Sequence, residues 1–166
     1  MTRHATGRAA VAVGPGRVRQ AEGMSTPSSP SGSFPLGARP LAEVMPLVGL
    51  LGIETVGVTP DEVRLRLPWS SRICTSGGTM HGGALMALAD TAGAMAASFH
   101  LPEGAGTTTT DSNTRFLRAV RQGHVEAVTR VLHAGRTLIV VDTEVRDDAG
   151  QLVARTSQSQ IVLQPR

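Results

Sequence analysis

Hydrophobic and polar positions change their period several times along this chain, and each change marks an element. From Pro40 the run LAEVMPLVGLLG is apolar enough for a short helix, interrupted at Pro46, where the ring removes a donor and clashes with the preceding turn. IETVGV follows, then a turn at Thr59-Pro60-Asp61, then EVRLRLP, in which Val63, Leu65 and Leu67 alternate with Glu62, Arg64 and Arg66. That period of two on both sides of a turn predicts a hairpin. The segment from His81 to Phe99 is rich in Ala, Leu and Met with hardly any β-branched residue, so it is expected to be a helix, apolar almost all round and therefore buried. Four strands are expected after it: TTTTDSNTRFLRAV, HVEAVTRVLHA, a strand in which Ile139, Val141, Thr143 and Val145 alternate with Val140, Asp142, Glu144 and Arg146, and LVARTSQSQIVL beyond a turn at Asp147 to Gly150. The fold class is α+β, in the order β-β-α-β-β-β-β with a short helix before the first strand. A lone helix that is apolar on all sides needs a sheet to enclose it, which predicts an antiparallel sheet wrapped around one long central helix.

Residues 1–39 break this regularity. They carry Gly, Pro, Ser and Arg without a sustained apolar period, and a stretch such as STPSSPSGSFP has too little to bury to offset the entropy of ordering it. The expectation is a disordered tail followed by one domain over residues 40–166, with Met24 an alternative start. The Arg-rich opening has some of the composition of a transit peptide but lacks the apolar core of a secretory signal. Gly14 to Gly16 is no dinucleotide fingerprint, since neither a strand before it nor a helix after it is credible.

Composition narrows the function classes. The net charge of +3 lies entirely in the first stretch, where Arg3, Arg8, Arg17 and Arg19 face only Glu22, and from Met24 onward acids and bases balance. With scattered basic residues and few aromatics to stack on bases, nucleic-acid binding is excluded as the main role. No apolar run approaches the roughly 20 residues that span a bilayer as a helix, so no membrane partner is expected. The single cysteine, Cys74, rules out an intrachain disulfide and a Cys-rich zinc site, and the expected compartment is the cytoplasm. Tyrosine is absent, so no tyrosine general acid is available.

The chemistry concentrates around the predicted long helix. Gly82 and Gly83 at its start should leave backbone N–H groups unpaired and uncovered by side chains, which makes a site for an anion or a developing oxyanion. Asp90 lies one heptad further on, with Met86, Ala87, Gly93 and Ala94 as its neighbours three and four residues away. A solvated face would not have that composition, and a carboxylate in such a setting needs a partner or a function. Cys74 with His81 offers a thiol nucleophile as an alternative, but no Cys-His pattern surrounds them and Cys74 reads as loop packing. Trp69 reads as a packing residue at the end of its strand.

GTMHGGALMALADTAGA, from Gly78 to Ala94, resembles the signature of the hotdog-fold thioesterases of the phenylacetate-degradation (PaaI) type, in which a Gly-x-x-His-Gly-Gly turn opens the helix and an acid follows nine residues after the histidine. FLRA at Phe116 to Ala119 and GRTLIVVDTEVRDDAGQLVA are similar to two further segments of that family. The resemblance implies a hotdog fold and hydrolysis of an acyl- or aryl-CoA thioester without a metal or redox cofactor. It assigns Asp90 as general base or nucleophile and the Gly82 N–H as oxyanion donor, with His81 acting in the site or only orienting the turn. Thr109 falls where relatives place a Ser or Thr that holds the water or the acid. Thr75 stands six residues before the histidine, where the family often has Asn. Gly83, Arg118 and Arg136 are the candidate contacts for the CoA substrate, the arginines for its phosphates.

His81 and Asp90 lie roughly 13 Å apart along a helix, too far to meet one carbonyl from one chain. Two antiparallel helices across a two-fold axis would bring Asp90 of each subunit to the Gly82 end of the other, so a homodimer with shared sites is expected, possibly paired into a tetramer. The alternative reading is a non-catalytic hotdog sensor that binds acyl-CoA. A hydratase is a third, but its Asp and His arrangement is not found here.

Overall fold

The computed structural model describes residues 39–165, and the expected tail lies outside them but for its last position. The elements are α1 (Leu41–Val44), α2 (Pro46–Leu51), β1 (Glu54–Val58), β2 (Val63–Pro68), a 3-10 turn at Ser71–Ile73, α3 (Gly82–Ser98), β3 (Gly106–Phe116), β4 (His124–Ala134), β5 (Leu138–Asp147) and β6 (Leu152–Leu163). The order is the one the periodicity predicts. Pro46 divides the first helix into two short ones, because it cannot donate into α1 but suits the first position of α2. Gly52 closes α2 in the left-handed conformation, at φ 74°.

All six strands form one antiparallel sheet in the order β1-β2-β4-β5-β6-β3. β6 lies between β5 and β3, so the two strands flanking the helix in sequence, β2 and β3, end up four places apart in the sheet. α3 fills the curve between them. Its buried side, Ala84, Leu85, Leu88, Ala89, Ala92, Met95, Ala96 and Ala97, packs against Val63, Leu65 and Leu67 of β2 and Val125, Ala127, Val141, Val145 and Val153 of β4, β5 and β6. The alternation read in β2 and β5 is the observed one: Val63, Leu65 and Leu67, and Ile139, Val141, Thr143 and Val145, are all buried.

The helix departs from expectation in one respect. It is not buried all round: Gly83, Met86 and Asp90 form an exposed stripe, flanked by half-buried Ala87, Thr91 and Ala94. The composition misleads because Ala and Gly carry no polar group to mark a solvent-facing side. Beside this stripe runs β3, an edge strand whose outer N–H and C=O groups pair with no strand among the described residues.

On the outer face of the sheet, Glu126 accepts from Arg64 Nε at 2.9 Å and from Arg66 at 3.4 Å, and Arg155 pairs with Asp142 at 3.0 Å. Inside, Thr129, Thr143, Thr156 and Thr114 stand opposite one another across β4, β5, β6 and β3. Their hydroxyls pair two by two, Thr129 with Thr143 at 2.7 Å and Thr156 with Thr114 at 2.9 Å, so each hydroxyl of the row has a partner.

Candidate active site

The start of α3 is built by the two glycines for different reasons. His81 occupies the N-cap position, and its ring turns back so that Nδ1 accepts from the Gly83 N–H at 2.9 Å. A Cβ on Gly83 would meet that ring nitrogen at 3.0 Å, and a Cβ on Gly82 would lie 3.1 Å from the Phe116 ring. A side chain at either position would make a neighbouring ring give by a few tenths of an ångström, the cap ring at Gly83 and the aromatic cover at Gly82. The cap corrects the expectation that both glycine N–H groups are free. Gly83 donates to His81, and the Gly82 N–H alone, at the first helical position, has no partner among the described residues. It points where the helix dipole is positive, as an oxyanion donor must. Because Nδ1 accepts, the ring proton sits on Nε2 in this arrangement, and His81 is occupied in shaping the turn.

Two turns along the exposed stripe, Asp90 is held from the sheet. Thr109 Oγ1 donates to Asp90 Oδ1 at 2.9 Å, and Gln158 Nε2 donates to the same oxygen at 2.8 Å. Oδ2 has no partner among the described residues. Thr109 in turn accepts from Gln160 Nε2 at 2.8 Å, and Thr107 divides its hydroxyl between Gln160 Oε1 at 3.3 Å and the Ile161 carbonyl at 3.1 Å. Thr109 and Gln160 are direct cross-strand partners in β3 and β6, next to a bulge between Thr109 and Asp111. Bulges re-aim side chains, and this one falls where β3 must present Thr109 inward.

Gln158 and Gln160 are fully buried, at 1% and 0% exposure, and the sequence reading missed both. A signal was available. Ala154 and Val162 fix which side of β6 faces the core, and counting by twos between them reaches Thr156, Gln158 and Gln160. The intervening Arg155, Ser157 and Ser159 are polar too, so amphipathicity did not advertise the face.

The remaining candidates scatter. Thr75 is exposed and closes the loop before α3, its hydroxyl 2.9 Å from that of Thr79 and its N–H bonded to the Thr79 carbonyl, too occupied to reach Asp90. Arg118 follows β3 beside Val153, whereas Arg136 sits in the β4–β5 turn near Val162. Nine residues of extended chain separate those places, roughly 30 Å, so the two arginines do not meet one pyrophosphate within a chain. Both are exposed. Cys74 Sγ donates to the Ser70 carbonyl at 3.1 Å, a packing contact. Trp69 packs against the core.

A cleft of about 380 Å³ opens next to the start of α3, lined by Leu47, Leu51, Ile73, Cys74, Ala84 and Ala87 with His81 and Arg72 at its polar side. Its walls are aliphatic. No group of His, Cys, Asp and Glu among the described residues is arranged to hold a metal. No described helix is long and apolar enough to cross a membrane.

Residues 77–154 match the family described as the thioesterase superfamily. A Haemophilus influenzae relative with an esterase name is 35% identical over 118 residues, covering 70% of this chain and 86% of its own. The proofreading thioesterase EntH of Cronobacter turicensis is 32% identical over 117 residues, covering 70% and 85%. Among solved structures, a thioesterase from Haemophilus influenzae superposes with a TM-score of 0.68 at 32% identity, over 70% of this chain and 82% of that one.

Proposed function

The chain belongs to the thioesterase superfamily and is a thioester hydrolase with the hotdog fold, and from that premise we propose that it cleaves acyl-CoA thioesters, with Asp90 as base or nucleophile. The observation that carries the reading is the arrangement of Asp90: a carboxylate on the exposed stripe of α3, held through Oδ1, on the same helix as the Gly82 N–H, with neither Oδ2 nor that N–H partnered among the described residues. The GTMHGGALMALAD segment supports the phenylacetate-degradation type.

Gly82 and Asp90 are eight residues apart, about 12 Å along the helix, so one thioester carbonyl takes its two partners from two chains. The exposed edge of β3 and the exposed stripe of α3 lie side by side, and both would be covered if β3 paired antiparallel with β3 of a second copy. In that dimer the thioester oxygen accepts from the Gly82 N–H of one subunit while the partner's Asp90 approaches the carbonyl carbon. As a base, Asp90 takes a proton from water as the new C–O bond forms. The C–S bond then breaks, the thiolate takes up the proton, and the acid and CoA leave. As a nucleophile, Asp90 attacks the carbonyl carbon, the C–S bond breaks and CoA leaves as a thiolate that takes a proton from solvent, and water then opens the acyl anhydride to the free acid and the Asp90 carboxylate. The largely aliphatic cleft of about 380 Å³ at the start of α3 offers walls for an acyl chain.

The test is release of free thiol from medium-chain acyl-CoA and aryl-CoA thioesters by the wild type and by Asp90→Asn. Turnover by the wild type with about a hundredfold loss or more in the variant is expected for a missing base or nucleophile. Binding of CoA thioesters by the wild type without hydrolysis would transfer the reading to a sensor and leave Asp90 a structural acid.

A further inference from the structure

Both donors on Asp90 meet the same oxygen, and one of them comes from a glutamine buried between helix and sheet. How the Gln158 amide reaches that place is decided by Gly93. Gly93 lies three residues beyond Asp90 on the side of α3 that faces β6 and β5, and it is buried. A Cβ there would overlap Gln158 Oε1 and crowd Val141 Cγ2 at 3.2 Å. Within a helix, glycine is the poorer choice than alanine for backbone entropy, and five of the six positions one, three and four residues away are alanine. Its presence at this position makes room for the amide.

The amide itself is oriented by chemistry. The Asp90 carboxylate only accepts, so the nearer atom of Gln158 must be its NH2 group. Its Oε1 is then turned toward Gly93, buried and without a hydrogen-bond partner among the described residues. A buried acceptor left unsatisfied is unfavourable, and the gain that offsets it is the bond to Asp90. A second chain of donors arrives at the same oxygen: Thr107 to Gln160, Gln160 to Thr109, Thr109 to Asp90, each bond polarising the next.

We propose that Gly93 and Gln158, together with the Thr109–Gln160 pair, form a buried clamp that holds Asp90 by Oδ1 and presents Oδ2 to the reaction. The proposal rests on the reading of Asp90 as the reacting carboxylate. Gly93 and Gln158 touch neither substrate nor reacting atoms, and both are positioning residues. Their removal lowers kcat and leaves KM unchanged, since the substrate meets neither of them.

The experiment is a double-mutant cycle on the full chain, read as kcat and KM for the best thioester of the panel, with thermal unfolding to confirm folding. Gln158→Val and Gly93→Ala each lower kcat about tenfold or more with KM within twofold. In the Gln158→Val background, which has no amide to displace, Gly93→Ala has no further effect on kcat. Gln158→Met, which keeps the volume and loses the donor, serves if valine loosens the core, and it too lowers kcat. Equal losses from Gly93→Ala in both backgrounds would overturn the clamp, because the glycine would then act through something other than Gln158. Wild-type kcat in Gln158→Val and Gln158→Met beside an inactive Asp90→Asn would overturn the clamp and leave the role of Asp90 standing. Full turnover by Asp90→Asn would remove the reading of Asp90 and the clamp with it.

Discussion

The two halves of the sheet beneath α3 are built on opposite principles. Under β2 and β4 the inward positions Val63, Leu65, Leu67, Val125 and Ala127 pack against Leu85, Leu88 and Met95, with Thr129 the one buried polar side chain of these two strands and the ion pairs on the outer face. Under β6 and β3 the inward positions include Thr156, Gln158, Gln160, Thr107 and Thr109, a polar interior in which each side chain is held by a specific partner. Apolar burial stabilises at about 25 cal/mol per Å², whereas a buried amide gains little beyond the bonds it makes. The first half therefore holds the domain together. The second gives up stability to fix a carboxylate, and it lies under the only acid on the helix.

This contrast is broken most forcefully from the apolar side. Leu88→Ala, at a fully buried position of α3, should cost about 2–5 kcal/mol of unfolding free energy in denaturant titration while leaving kcat of the folded protein near wild type. Gln160→Met should do the reverse: stability within about 1 kcal/mol, and kcat down several-fold, because Thr109 loses the bond that orients its hydroxyl. If Leu88→Ala were the variant that lost kcat and Gln160→Met the one that unfolded, the division of labour between the halves would be wrong.

The smallest effect sharpens the comparison on the outer face. Burial against the sheet raises the Glu126 carboxyl, but the hydrogen bond and charge of Arg64, with those of Arg66, outweigh it and hold Glu126 below the usual range. A carboxyl depressed in the folded state contributes stability that is complete above its unfolded value, about 4.3, and is lost as pH falls through the folded value. Glu126→Gln should remove that acid-side loss, worth about 1 kcal/mol or less for so exposed a set of arginines. Chemical denaturation at pH 7 and pH 3 measures it.

The apolar half was legible in the sequence because alternation is a strong signal where one face is charged, as in EVRLRLP. The helix was legible from its Ala, Leu and Met content, and the position of Asp90 from its spacing to His81. The polar half was not. In TSQSQ both faces are polar, so the buried glutamines look like solvated ones until the parity of Ala154 and Val162 is carried through. The use of Gly83 by the His81 cap was hidden for a different reason, since a side chain turning back two residues leaves no periodic trace. Arg118 and Arg136 were grouped by residue type, and only strand register shows them to be at opposite ends of the sheet.

The central claim is that each site takes Gly82 from one chain and Asp90 from another, and subunit mixing tests it most directly. Gly82→Pro removes the oxyanion N–H at the first helical position, where the helix backbone tolerates proline and the half-exposed Phe116 ring has to give way, and Asp90→Asn removes the carboxylate. Each variant alone should be inactive. Coexpressed with different tags, they form mixed dimers in which one site carries both lesions and the other carries neither, so the purified mixed species should recover about half of the wild-type activity per dimer. Mixed dimers as inactive as either parent would contradict the account and place the complete site within a single chain.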